Sequence, residues 1–351
     1  MLASDHLSCS GYEQVTVFTD SEAGLEAIVA IHDTTLGPAC GGTRIWPYPS
    51  QEEALGDVLQ LARAMTYKSA VAGLDLGGGK AVIIADSRSG LSEALLRAFG
   101  RCLNTLEGRF VTTADVGGTG GDMEIVSRES DHVVGLPVSQ GGSGDSSIMS
   151  GLGLYVGMKA CAKAVWGSDS LRGRRVAMQG FGKVGTRAAR HLLDEGAHVV
   201  ATALHDSTLR KARSMGAEVV APEEIYDVDC DIFSPCALGG VINRDTIPRL
   251  TCRIVAGAAN NQLATAADGE ELHRLGILYA PDFVINAGGI INLSVEVGRS
   301  YDPEVARTKT ERIYGVVERV IQASRREGKP TTWAAHRLAE DRLAAARSAR
   351  R

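Results

Sequence analysis

Apolar and polar residues alternate along two early segments, EQVTVFTD and LEAIVAIHD, which predicts a half-buried β-hairpin. The period then lengthens. SQEEALGDVLQLARAMTYKSAVA opens on a serine, carries acids in its first turn and repeats apolar residues at helical spacing, the signature of a capped helix. KAVIIAD and RFVTTADVG read as strands, with SEALLRAFGRCLNTLEG between them as a second amphipathic helix. QGGSGDSSIMSGLG is small, polar and glycine-rich, so it reads as a loop before the helical LYVGMKACAKAVWG. A domain boundary is expected there, and such a segment suits a hinge.

The second half opens with GRRVAMQGFGKVGTRAARHLLDEGAHVVATA, a strand, glycine turn, helix and strand. AEVVAP, CDIFSPCA, RIVAGAAN and LYAPDFV follow as strand-like pieces split by short helices. This order predicts a parallel sheet covered on both faces. From DPEVARTKTERIYGVVERVIQASRREG onward the pattern is helical. The fold class is therefore α/β, and 351 residues suggest two domains.

Composition narrows the partners. Hydrophobic residues make up 44% and charged residues 23%, enough for a full core, and the formal net charge of -5 supplies no basic face for nucleic acid or an anionic membrane. The opening MLASDHLSCSGYEQ has neither a basic nor an apolar leader region. Seven scattered cysteines without a CxxC read as reduced thiols, so a cytoplasmic protein is expected. Eight histidines show no metal-ligand spacing, and no metal site is expected.

Gly180, Gly182 and Gly185 form GxGxxG between the strand RVAMQ and a helix, the context that makes this pattern a dinucleotide site. Gly180 allows the tight turn, Gly182 lets backbone N–H groups reach the pyrophosphate, and Gly185 lets the helix pack close. An acid normally ends the second strand and binds the ribose 2′-hydroxyl, but Ala203 stands there. That removes repulsion of a 2′-phosphate. His205 and Arg210 could then favour NADP, Asp206 could take the hydroxyl, or all three could be solvated surface.

The first half gathers GPACGGTR, MTYK, GLDLGGGKAVI and TTADVGG, where glycines let backbone approach a small ligand. Lys68 lies at the polar end of an apolar helix, and Lys80 follows three glycines at a strand start. Lone lysines are usually solvated, but these flank an apolar, glycine-rich block. Dehydrogenating an amino acid needs a cation for the α-carboxylate, a base for the amine and for water, and a carboxylate to move protons. A lysine serves as base when burial and a nearby cation depress its pKa, and two lysines in one cleft supply that repulsion. Asp115, in TTADVGG, is the candidate carboxylate, although a turn aspartate there is common.

The blocks HDTTLGPACGGTRIWPY, LARAMTYKSAVAGLDLGGGKAVII, DIFSPCALGGVIN, IVAGAANNQLA and GILYAPDFVINAGGIIN resemble the Glu/Leu/Phe/Val dehydrogenases, and within them the leucine and valine enzymes. The resemblance runs from about Val15 to about Arg342. It implies NAD(P)-dependent deamination of an apolar L-amino acid to a 2-oxo acid and ammonia, in a homo-oligomer. It implies a substrate and oligomerisation domain over 1–140, a Rossmann-like domain over 141–329, and final helices (330–351) that return to the first. By similarity Lys68 binds the substrate carboxylate, Lys80 is the general base and Asp115 assists proton transfer. Gly41 and Gly42 line the site with backbone. Cys40, Met65, Thr113, Ile291 and Ser294 surround the substrate side chain, and Asn261 holds substrate and nicotinamide. Gly180, Gly182, Lys183, Val184, Gly185, Ala203, His205, Ser147, Ser150, Ala237, Ala258, Asn260 and Asn286 fall to the cofactor, with NAD expected and NADP admitted by Ala203. Ala114, Gly118, Cys40, Thr113 and Ala203 depart from the leucine-type pattern. They leave open a phenylalanine-type or specialised substrate, or a silent dinucleotide-binding paralogue.

Overall fold

The computed structural model describes residues 2–89, 91–298 and 300–350. The chain divides into two units: Met1–Asp145 with Leu293–Pro303 and Ala339–Arg351, and Ser146–Asn292 with Glu304–Leu338. The first boundary thus falls after Asp145 rather than after residue 140. Leu293–Pro303, expected in the second domain, belongs to the first, and the final return begins at Ala339 rather than at 330. Membership follows packing partners that periodicity does not reveal. Glu296 accepts backbone N–H bonds from Gly135 and Ser143 at 2.9 and 2.8 Å, and Arg347 pairs with the buried Asp33.

In the first unit β1 (Leu2–Leu7), β2 (Gln14–Asp20), β3 (Leu25–Asp33), β4 (Ala39–Trp46), β5 (Gly77–Ile84) and β6 (Phe110–Ala114) form one sheet ordered β1-β2-β3-β5-β4-β6. The hairpin predicted from alternation is β2–β3. β5 joins it antiparallel, while β4 runs parallel to both β5 and β6. Helices α1 (Gln51–Val71), α2 (Glu93–Asn104) and α3 (Gly120–Val126) cover the sheet. Ser50 and Ser92 cap α1 and α2 by accepting from Glu53 and Leu95 backbone N–H groups. Alternation sorts the faces. Val15, Val17, Ile28, Ala30 and Val82 pack on Ala54, Val58 and Ala62 of α1. Phe18, Ala27, Val29, Ile31 and Ile83 pack on Leu96, Phe99 and Leu103 of α2 and Met123 of α3. Each large side chain so buried contributes roughly 1.5–3 kcal/mol. Lys80 shares its parity with Val82, so it lies on the α1 face of β5.

The second unit opens with α4 (Ser147–Trp166). The loop predicted as far as Gly153 ends at Ser146, because Met149, Leu152 and Leu154 are buried along the helix. The βαβ unit is β7 (Arg175–Gln179), α5 (Lys183–Glu195) and β8 (His198–Thr202). After it come α6 (Asp206–Ser214), β9 (Glu218–Val219), β10 (Ile232–Pro235), β11 (Ile254–Val255), α7 (Ala266–Arg274) and β12 (Leu278–Tyr279). The strands run β12-β11-β10-β7-β8-β9 and every neighbouring pair is parallel. The chain starts in the middle, winds out through β9, then crosses back to β10. In such sheets ligands sit outside the strands' carboxyl ends where the winding reverses, here between β7 and β10. Ala177, Val200, Phe233, Val255, Leu272 and Tyr279 form one core layer. Helices α8 (Asp282–Ile285), α9 (Gly288–Ser294), α10 (Pro303–Glu311), α11 (Ile313–Glu327) and α12 (Thr331–Ala349) complete the chain. No helix among the described residues is long and apolar enough to cross a membrane.

Candidate active site

Lys80 lies in the middle of β5 rather than at a strand start. The glycines before it are strand residues because the sheet is pressed against α1. A Cβ on Gly78 would fall 2.1 Å from the Thr66 backbone nitrogen. Lys80 is 5% exposed, and its Nζ donates to Asp115 Oδ2 at 2.6 Å. The Asp115 side chain reaches this point because Gly42 has none: a Cβ there would meet the Asp115 Cβ at 2.7 Å. Arg44, two residues on and thus on the same face of β4, puts Nε 3.4 Å from the same Oδ2. Its Nη1 donates to Asp57 Oδ2 on α1 at 2.8 Å, and Asp57 also accepts from the Tyr48 hydroxyl.

Burial pushes the Lys80 ammonium below the ordinary lysine range, against the opposing pull of Asp115 and with help from Arg44. Burial works to raise the Asp115 carboxyl, but the Lys80 and Arg44 cations more than offset it and hold it below the usual carboxylate range. The sequence pointed to Lys68 as the cation that crowds Lys80; the structure adds Arg44 as a cation that acts on it. Arg44, Asp57 and Tyr48 were not foreseen, although the spacing of Gly42 and Arg44 on one strand was a usable signal.

Around this pair the first unit gathers other predicted residues. Cys40 is buried near Lys80, and burial pushes its thiol up to about 12, so it stays protonated. Gly41 lies against Gly79 and the Met65 side chain. Thr113 packs under Gly135, where Leu293 also arrives. Ser294 is buried. Lys68 is half-buried in the last turn of α1, one turn beyond Met65.

In the second unit the chain turns at Gly180, whose φ of 103° and close approach to Ala237 exclude a side chain. Gly182 stands at the N-cap of α5 with no atom within 4 Å of where its Cβ would be, and no side chain caps the helix. Lys183, Val184 and Gly185 form the first turn, with Gly185 against the Gly180 carbonyl. Ala203 directly follows β8, and His205 is the N-cap of α6. Ser147 and Ser150 lie in the first turn of α4, with Gly289 of α9 against the Ser150 hydroxyl. Beyond β11, Asn286 Nδ2 donates to Asn260 Oδ1 at 2.8 Å and to the Ala258 carbonyl at 3.2 Å. Asn261 adopts a left-handed φ of 51° and its carbonyl accepts from Gly240. Ile291 is buried in α9.

Two family models match the chain, the dimerisation domain of Glu/Leu/Phe/Val dehydrogenase over residues 12–132 and the Glutamate/Leucine/Phenylalanine/Valine dehydrogenase domain over 141–213 and 202–351. The chain belongs to the Glu/Leu/Phe/Val dehydrogenase family. It is 50% identical over 340 residues to leucine dehydrogenase of Bacillus subtilis, covering 97% of this chain and 93% of that one. It is 46% identical to valine dehydrogenase of Streptomyces coelicolor, covering 97% and 95%. Among solved structures, L-tryptophan dehydrogenase from Nostoc punctiforme superposes with a TM-score of 0.85 at 44% identity, covering 96% of this chain and 97% of that one.

The nicotinamide dinucleotide used by Glu/Leu/Phe/Val dehydrogenases fits the second unit on three observations. The space before Gly182 is open, the α5 N-terminus offers uncapped backbone donors, and buried polar atoms point to missing partners. Among the described residues Gln179 Oε1, Thr202 Oγ1 and Asn286 Oδ1 are buried without a hydrogen bond. All three lie at or just beyond the carboxyl side of the parallel strands, where this fold takes ligands.

Proposed function

We propose that this protein catalyses the reversible oxidative deamination of an apolar L-amino acid of the leucine, valine and isoleucine type to its 2-oxo acid and ammonia, with NAD as the hydride acceptor. The observation that carries this reading is the 2.6 Å pair of the buried Lys80 and Asp115 in a chain half identical to a leucine dehydrogenase. Lys68 holds the substrate α-carboxylate. Lys80, its proton affinity lowered by burial, takes a proton from the amine and later from the water that attacks the α-carbon. Asp115, held ionised, relays protons between Lys80 and the departing nitrogen. The Gly41–Gly42 backbone lines the reacting end, and Cys40, Met65, Thr113 and Ser294 of the first unit receive the side chain.

Bound NAD supplies the ring that accepts the α-hydride. Gly180, Gly182, Lys183, Val184 and Gly185 hold its pyrophosphate, Ala203 and His205 border its ribose, and Asn261 and Asn286 hold its nicotinamide end. Ser147, Ser150, Ala237, Ala258 and Asn260 form the rest of that wall. Ala203 places no carboxylate beside the 2′ position, so NADP is accepted as well. The match to a dimerisation domain supports a homo-oligomer. Seven free cysteines favour the cytoplasm.

A second reading, a bulkier or more polar substrate, draws on the tryptophan dehydrogenase likeness and on the thiol and hydroxyls of Cys40, Thr113 and Ser294. One methylene in an apolar pocket is worth only about 1–3 kcal/mol, so lining residues do not rank such substrates. A matrix of leucine, valine, isoleucine, phenylalanine and tryptophan against NAD and NADP, followed by reduced-cofactor absorbance, tests both readings. Highest kcat/KM on a branched-chain amino acid is expected. Preference for an aromatic one selects the second reading, and no turnover by folded protein overturns both.

A further inference from the structure

Asp115 serves two cations. Lys80 Nζ and Arg44 Nε approach the same oxygen, Oδ2, at 2.6 and 3.4 Å. Lys80 completes a hydrogen bond there, whereas Arg44 Nε is buried with no hydrogen bond among the described residues. The guanidinium is held from its other side by Asp57, and Asp57 in turn by Tyr48. Positive and negative groups thus alternate: Lys80, Asp115, Arg44, Asp57. They cluster where α1 covers β4 and β5, and reduced solvent access there strengthens each interaction.

We propose that Arg44 is a positioning residue of the reacting centre, which divides the Asp115 carboxylate with Lys80, and that Asp57 sets how much of the guanidinium charge reaches that carboxylate. The proposal rests on the reading of Lys80 as the base. A base must give up its own proton before it can take another. An aspartate that answered to Lys80 alone, at this distance, would hold the ammonium protonated. Arg44 draws on the same oxygen and weakens that hold. Arginine suits the task because its guanidinium keeps its charge beside another cation, whereas a second lysine could lose its proton instead. Asp57 acts in the opposite sense by drawing the guanidinium charge to itself.

Both influences on Lys80 have the required signs, Arg44 lowering its proton affinity and Asp57 raising it. The elements packed around Lys80 carry further titratable groups: Cys40 on β4, Glu26, His32 and Asp33 on β3, and Glu52, Glu53, Arg63, Tyr67 and Lys68 on α1. The Cys40 thiol remains protonated. Burial lowers the His32 pKa, and its ring is bonded to Thr66. Glu296 acts on Cys40 from the segment that returns to this unit.

The test is the pH profile of kcat/KM for deamination of a branched-chain amino acid by the full chain. Arg44→Gln should move the acidic limb to higher pH by about one unit or more, a roughly tenfold loss at a pH on that limb. Arg44→Lys, which keeps the charge, should recover most of that shift. Asp57→Asn should move the limb the other way, to lower pH. Damage to the fold would not give opposite displacements, and Asp57→Asn still decides the matter if Arg44→Gln fails to fold. An unmoved limb in Arg44→Gln, or displacements of the same sign in Arg44→Gln and Asp57→Asn, overturns the proposal. Turnover by Lys80→Ala overturns the underlying reading of the base. An inactive Lys80→Ala beside an unmoved Arg44→Gln profile overturns only the role of Arg44.

Discussion

The two units prepare for their ligands by opposite means. The first concentrates formal charge around a buried lysine: Lys80 and the half-buried Asp115, Arg44 and Asp57 meet on one face of the sheet. The second offers its turn almost no formal charge. It presents a bend at Gly180, open space before Gly182 and uncapped N–H groups at the start of α5. Clustered, partly buried charge changes proton affinities, while backbone donors beside empty space recognise a shape and a diffuse anion. Substitutions in the first unit should therefore alter rate and pH dependence, and those in the second should alter occupancy and choice of cofactor.

The largest expected effect is at Lys80. Lys80→Ala should lower kcat/KM for deamination by about a thousandfold or more, with cofactor affinity within a few-fold of the parent by fluorescence titration. A comparable loss of cofactor affinity would erase the division of labour between the units. Next is Gly180→Ala, which forces a Cβ to 2.7 Å from the Ala237 Cβ at a positive φ. It should destabilise the second unit by about 1–3 kcal/mol in denaturant titration and weaken cofactor binding, leaving the pH profile of residual turnover in place. A displaced profile would show that the turn reaches the proton chemistry.

Ala203→Asp comes third. A carboxylate beside the ribose should shift the NAD-to-NADP ratio of kcat/KM toward NAD by about tenfold. An unchanged ratio would mean that other groups read the 2′ position. The smallest effect concerns Asp33 and Arg347. Burial works to raise the Asp33 carboxyl, but hydrogen bonds from Thr35 and the Arg347 cation more than offset it, leaving it below the usual range. A depressed carboxyl stabilises the fold above its unfolded value, and that contribution fades as pH falls below about 4. Asp33→Asn should lower stability at neutral pH by about 1–2 kcal/mol and flatten the acid side of the stability curve. Equal acid sensitivity in parent and variant would remove this pair from the account.

The second unit was the more legible in sequence. Gly180, Gly182 and Gly185 sit within one short stretch whose strand and helix carry their own periodic patterns, so local signals sufficed. In the first unit Lys80 and Asp115 were found by residue type and by family likeness. Arg44 and Asp57 were not, because their meeting depends on the register of β4 against β5 and β6 and on how α1 lies over it. β4 itself escaped notice, since paired glycines carry little strand preference. Leu293–Pro303 was misplaced because its tie to the first unit is Glu296 reaching Gly135 and Ser143, more than a hundred residues away in sequence.

Asp33 is buried early in the chain, and its guanidinium partner comes from Arg347. During translation that carboxylate must wait, hydrated or protonated, until nearly everything that follows has been made. The first unit is thus begun before the second and completed after it, since the second unit can close before Ala339–Arg351 leave the ribosome. A nascent chain stalled short of Arg347 should carry an incomplete first unit beside a nearly complete second unit, and limited proteolysis of stalled chains would see the difference.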